Sequence, residues 1–88
     1  MDLKLQGKKA LITGSSRGIG KDIAKSLSEE GCNVAINGRN IEQLKSVQNE
    51  INCDLPIVGD VTKVADCNRI ADEFINFFGS IDILICNV

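Results

Sequence analysis

The chain has 88 residues, room for one small domain. A quarter of the residues are charged, 43% are hydrophobic and the formal net charge is −2, which excludes a disordered chain and gives no electrostatic case for nucleic acid or an anionic membrane as a general partner. No segment approaches the ~18 apolar residues of a membrane span, and residues 1–10 carry lysines without the apolar core of a signal peptide, so the expected location is cytoplasmic with no membrane partner.

Residues 9–13 (KALIT) form a short apolar run that ends at Gly14 and reads as a first strand. Helical spacing follows, with Ile19, Ile23, Ala24 and Leu27 on one face and Gly31 as the stop. Residues 32–37 (CNVAIN) read as a second strand. Asn40 then suits an N-cap, with Gln43 three residues on, and Ile41, Leu44, Val47 and Ile51 form the stripe of a second helix. Residues 56–59 (PIVG) read as a third strand. Thr62 is the expected cap of a third helix, in which Val64, Cys67, Ala71, Phe74 and Phe78 repeat at helical spacing up to Gly79, the two phenylalanines being core residues. Residues 81–86 (IDILIC) read as a fourth strand, apolar enough to be buried on both faces of a parallel sheet.

The order β-α-β-α-β-α-β, without repeat, low-complexity tract or linker, predicts an α/β fold: a Rossmann-type doubly wound parallel sheet, incomplete, with four strands in the order 3-2-1-4 and three helices. The first strand is then central. Its C-terminal end, beside the fourth strand, is the switch point where a ligand belongs.

The segment Thr13-Gly14-Ser15-Ser16-Arg17-Gly18-Ile19-Gly20 falls at that switch point, between the first strand and the first helix. Gly14 can turn the chain sharply, and Gly18 and Gly20 let backbone approach a phosphate and let the helix sit close on the sheet. The helix N-terminus aims free N–H groups and its positive dipole end at the turn, and Ser15 and Ser16 can add hydroxyl donors. A P-loop is excluded: Gly20-Lys21 is followed by Asp22, and Ser15 stands where that motif needs its first glycine. The G-x-G-x-x-G order fails as well, because the spacing here is G-x-x-x-G-x-G.

Thr13 to Gly20 resembles the T-G-x-x-x-G-x-G turn of the short-chain dehydrogenase/reductase family. The resemblance continues through Ile23-Ala24, Leu27, Gly31 and Val34, then Gly59-Asp60-Val61-Thr62, then Ile81-Asp82-Ile83-Leu84-Ile85. Together with Asn37-Gly38-Arg39 it is most similar to the NADPH-dependent 3-oxoacyl-(acyl carrier protein) reductase-like branch. The resemblance implies that Gly14, Ser16, Arg17, Gly18, Ile19 and Gly20 surround the pyrophosphate and adenosine ribose of a dinucleotide. It implies that Asp60 accepts from the adenine amino group and that Val61 lines that pocket. After the fourth strand the family pattern is N-N-A-G. Here Cys86, Asn87 and Val88 stand at its first three positions, so Asn87 is the residue carried over to the cofactor site and Cys86 and Val88 are departures.

The end of the second strand bears on the nucleotide. An NAD-preferring site places Asp or Glu there, where it bonds the ribose hydroxyls, whereas this chain has Asn37, Gly38, Arg39 and Asn40. Arg39 can present a planar cationic fork to a 2′-phosphate, and Arg17 can approach the same group from the turn, so the expected cofactor is NADP(H) rather than NAD(H).

Absences shape the rest. The family's Tyr-x-x-x-Lys pair, Ser and Asn are expected beyond the fourth strand. The chain has no histidine, tyrosine or tryptophan, so no catalytic residue is assigned in it. The four cysteines, Cys32, Cys53, Cys67 and Cys86, are widely spaced without a C-x-x-C pair and are expected to be buried or half-buried thiols rather than a metal site or disulfide framework. Residues 1–88 are expected to be a partial NADP(H)-binding Rossmann domain, the dinucleotide-binding portion of an oxidoreductase acting on a carbonyl or alcohol, a 3-oxoacyl thioester being one candidate. The resemblance implies that the parent enzyme is a homo-oligomer. The alternative is a free-standing, non-catalytic nucleotide-binding module.

Overall fold

Every helix returns the chain to the same end of the sheet, so all four strands run parallel. The computed structural model describes residues 5–87; Val88 and residues 1–4 lie outside them. The elements are β1 (Lys9–Thr13), α1 (Gly18–Glu29), β2 (Asn33–Gly38), α2 (Ile41–Ile51), β3 (Leu55–Val58), α3 (Val64–Phe78) and β4 (Ile83–Cys86). The strand order is β3-β2-β1-β4, as the alternation predicts. β1 sits between β2, where Leu11 pairs with Ala35, and β4, where Leu11 pairs with Leu84. Pro56, which has no N–H to give a ladder, falls on the edge strand β3, where it is tolerated.

Strand alternation divides the core in two. Ala10 and Ile12 of β1, with Val34 and Ile36 of β2, lie under α1 and α2, which contribute Ala24, Leu44, Val47 and Ile51. Leu11, Ala35 and Ile57 face the other way and meet Ile70 and Phe74 of α3. Ile12, Ile36, Leu44, Ile57 and Phe74 are fully buried, and each such side chain contributes about 1.5–3 kcal/mol relative to leaving it in water. The two layers hold β1 and β2 rigidly at the centre, and their C-terminal ends carry the turns described below.

The register of β4 is fixed before the strand begins. The Lys9 N–H donates to Asp82 Oδ2 and the Asp82 N–H donates to the Lys9 carbonyl, both at 2.9 Å.

The structure corrects several local expectations. β2 begins at Asn33 and includes Gly38; β3 begins at Leu55 and stops at Val58; β4 begins at Ile83, because Asp82 is engaged by Lys9 and Ile81 is exposed. The N-cap of α3 is Lys63, not Thr62, because the Thr62 N–H and hydroxyl are both drawn to Asp60 Oδ1. The inward face of α3 is Ile70 and Phe74, with Phe78 half-buried; Val64, Cys67 and Ala71 are exposed, since α3 leans on β3 at the sheet edge and offers only a narrow face. Ile19 and Ile41 are likewise exposed at their helix starts. Asn40 does cap α2, its side chain accepting from the Gln43 N–H at 3.1 Å. Cys32 and Cys53 are buried, but Cys67 and Cys86 are exposed rather than half-buried. No helix among the described residues is long and apolar enough to cross a membrane.

Candidate functional site

Beyond the ends of β1, β2 and β3 the chain encloses a cavity of about 550 Å³, within the usual range for a small-molecule site. Of the residues selected from the sequence, Gly14, Ser16, Arg17, Gly18, Ile19, Arg39, Asp60, Val61 and Asn87 line it. Gly20 does not. It lies buried beneath the turn, where a β-carbon would collide with the Gly14 carbonyl oxygen and come within 2.7 Å of Asn87 Nδ2. Gly14 itself has φ +60°, and a β-carbon there would run into the Asn87 carbonyl. These two positions therefore bring the first turn of α1 close to the end of β1, as a phosphate-binding turn requires.

The Gly14 N–H, the Ser15 N–H and the buried Ser15 hydroxyl are all bonded within the fold, so Ser15 is not the free hydroxyl donor its place in the turn suggests, and the open donors are those of the first turn of α1. Arg17 is the N-cap of α1, in extended backbone, and no side chain among the described residues caps the helix. The N–H groups and positive end of α1 consequently face the cavity, a favourable place for an anion. Arg17 in the turn and Arg39 directly after β2, both exposed, add two cationic forks to the cavity lining. The Ser16 side chain lies against the Gly38 backbone: a β-carbon on Gly38 would stand 3.0 Å from Ser16 Oγ.

On the far side, Asp60 forms a tight turn. Its Oδ1 accepts from the Thr62 hydroxyl at 2.6 Å and from the Thr62 N–H at 2.9 Å. These bonds, the hydroxyl first, hold the Asp60 carboxyl below the usual carboxylate range, with Arg39 and Lys63 assisting. The Asp60 N–H is spent on Asp66 Oδ2 at 2.8 Å. At the mouth, Asn87 is tied to β1. Its Nδ2 donates to the Gly14 carbonyl at 3.0 Å and its N–H donates to Thr13 Oγ1 at 3.1 Å.

Four further lining residues, Asn37, Gly38, Gly59 and Thr62, were not selected as site residues from the sequence. Gly38 and Gly59 directly follow apolar strand cores, and that position was the available signal: a bare backbone at a strand end leaves room for a ligand. Asn37 carried another, a polar residue inside an apolar run. Among the described residues no group of three or more His, Cys, Asp or Glu side chains is placed to hold a metal ion.

A glycine turn at the switch point of a doubly wound sheet, with an open helix N-terminus and flanking cations, defines a class: α/β units that take nucleotides at the carboxyl ends of their strands. Comparison with known proteins narrows it. The family model for short chain dehydrogenase matches residues 8–88, and the chain belongs to that family, whose members bind nicotinamide dinucleotides; it corresponds to their N-terminal part. It is 39% identical over 89 residues to the glucose 1-dehydrogenase of Gluconobacter oxydans, covering 96% of this chain and 34% of that enzyme. It is 43% identical over 86 residues to the sorbitol dehydrogenase of Cereibacter sphaeroides, covering 97% and 34%. Among solved structures, a hydroxysteroid dehydrogenase from Escherichia coli superposes with a TM-score of 0.92 at 33% identity, over 98% of this chain and 38% of that one. A 3-ketoacyl-(acyl-carrier-protein) reductase from Brucella melitensis, complexed with NADH, gives 0.85 at 36% identity, over 91% and 33%. The chain thus spans about a third of the length of the curated relatives it matches.

Proposed function

We propose that this chain binds NADP(H) in preference to NAD(H) and is the cofactor-binding portion of a cytoplasmic oxidoreductase acting on a carbonyl or alcohol substrate. The observation that carries the reading is the meeting of Arg17 and Arg39 in one cavity with the glycine turn, where the end of β2 supplies Asn37 and Gly38 instead of a carboxylate. A relative complexed with NADH has the same fold, so the fold does not choose the nucleotide; the residues at the end of β2 do.

The residues present fit such a cofactor. The open first turn of α1, with Ser16 and Ile19, receives the pyrophosphate; Arg17 and Arg39 converge on an adenosine 2′-phosphate; Asp60 and Val61 flank the adenine; Asn87 completes the lining. When bound, the nicotinamide supplies hydride to, or takes it from, a carbon bearing oxygen. The chain's own part is to hold the dinucleotide in one orientation. Substrate recognition and proton transfer belong to residues outside these 88, and a 3-oxoacyl thioester is the first substrate to try with the whole enzyme.

Calorimetry tests the preference. A charge-assisted bond to phosphate is worth about 1.5–3 kcal/mol, so NADP⁺ should bind at least about tenfold tighter than NAD⁺. Arg39→Ala should remove most of that margin. Equal affinities, or an unchanged margin in the variant, would refute the assignment. The 88-residue polypeptide should consume no NADPH with an acetoacetyl thioester. Turnover that survives repurification would show that chemistry resides in this part.

A further inference from the structure

Asn37 ends the apolar run of β2, yet its side chain is 1% exposed and enters no hydrophobic contact cluster. A buried amide has two N–H hydrogens and an acceptor oxygen to satisfy, and here each has its partner. Nδ2 donates to the Ile57 carbonyl at 3.0 Å and to the Gly59 carbonyl at 3.3 Å; Oδ1 accepts from the Gly14 N–H at 3.2 Å. The orientation is dictated by the partners, since reversing the amide would set oxygen against two carbonyls and nitrogen against a donor. The backbone of the same residue is locked as well. Its N–H donates to Ser15 Oγ at 2.8 Å and its carbonyl accepts from the Ser15 N–H at 2.7 Å, while Ser15 Oγ donates to the Ile12 carbonyl at 2.7 Å.

These bonds join two stretches of chain more than 40 residues apart that meet only across the cavity: the glycine turn after β1 and the Gly59–Asp60 loop after β3. We propose that Asn37 is a positioning residue whose buried amide fixes the spacing between the phosphate-binding turn and the adenine-side loop, so that both halves of a dinucleotide meet one rigid frame. This rests on the dinucleotide reading above. No other side chain does the same work. Aspartate could accept from Gly14 but would set a carboxylate against two carbonyls; glutamine is one carbon too long; an aliphatic residue removes the side-chain partner of the Gly14 N–H and of the Gly59 carbonyl.

The consequence is a split between ligands that span the frame and ligands that do not. In Asn37→Ala, affinity for NADP⁺ should fall by at least about tenfold, the loss expected when one charge-assisted bond is misplaced. Affinity for adenosine, which lacks the phosphate that Arg17 of the turn would hold and so occupies only the adenine side, should stay within about threefold. Equal loss for both ligands, or loss for neither, would overturn the proposal.

A second measurement needs no variant. Amide exchange at Gly14 is followed by NMR in the wild-type chain as adenosine is added. The frame predicts slower exchange at Gly14 although the ligand lies on the other side of Asn37; unchanged exchange there would overturn the proposal. Failure of the dinucleotide reading is visible separately, as wild-type chain that binds adenosine without discriminating NADP⁺ from NAD⁺.

Discussion

Gly20→Ala adds one methyl group at a tight point directly beneath the site. The new carbon would overlap the Gly14 carbonyl oxygen, lie 2.7 Å from Asn87 Nδ2 and lie 3.0 Å from Ser15 Cα. Two of these three neighbours are main chain in a turn pinned by Asn37 and Ser15, so they cannot swing aside as a side chain would. Overpacking of this kind costs about 1–3 kcal/mol, and the rigid neighbours place it toward the upper end. Alanine returns about 1 kcal/mol of helix propensity. The net destabilisation is therefore about 1–2 kcal/mol, read as a lower urea midpoint at constant slope. Relief comes by lifting the start of α1 off the turn, which carries its free N–H groups away from the phosphate position. Losing one charge-assisted bond, about 1.5–3 kcal/mol, weakens NADP⁺ at least about tenfold by calorimetry. Wild-type affinity in a destabilised variant would show that the first turn of α1 does not hold the pyrophosphate. Wild-type stability would show that the contact at Gly20 is not as close as described.

Asn40→Ala removes the one hydrogen-bonded side-chain cap on α2 and should cost about 1 kcal/mol in urea unfolding, with little change in nucleotide affinity; an unchanged midpoint would contradict the cap. Cys67 and Cys86 should react with a thiol reagent in the folded chain, whereas Cys32 and Cys53 should react only on unfolding. Burial raises the Cys53 thiol from 9.0 to about 11, so its contribution to stability is complete below about pH 9 and is lost as pH rises toward 11. The melting temperature should fall across that window, and less steeply in Cys53→Ala; parallel slopes would refute the assignment. The 88-residue polypeptide should self-associate through the outer edge of β4, where Leu84 is 57% exposed. Leu84→Lys should reduce association at a cost in stability, checked by sedimentation and melting over a ~hundredfold concentration range; a concentration-independent monomer melting above ~50 °C would contradict this.

Much of the architecture was legible because parallel strands leave few choices. Apolar runs alternating with helical stripes imply crossovers, and crossovers set the strand order and bring the turns after β1, β2 and β3 to one edge. That is why residues as distant in sequence as Ser16, Arg39, Asp60 and Asn87 line one cavity. Reading failed where a residue's surroundings come from another strand. Asn37 reads in sequence as the last residue of a strand, and its bonding to Ile57, Gly59 and Gly14 exists only once three strand ends are side by side. Periodicity marked Val64 and Cys67 as core, yet α3 leans over the sheet edge and turns Ile70 inward in their place. Hydroxyl residues favour the cap position, which points to Thr62, but Asp60 two residues earlier competes successfully for the same hydroxyl and N–H.

The paired bonds between Lys9 and Asp82 make β4 a ruler. They clamp the strand at the floor of the sheet, and Asn87 arrives at the mouth of the cavity five residues later, about 16 Å away at ~3.3 Å per residue. A slip of one residue at the clamp would displace Asn87 from the Gly14 carbonyl and exchange Leu84 with its neighbours between the two faces of the sheet. The site at one end of the molecule is thereby calibrated by a carboxylate at the other, and changes at Asp82 can alter nucleotide binding without touching the nucleotide.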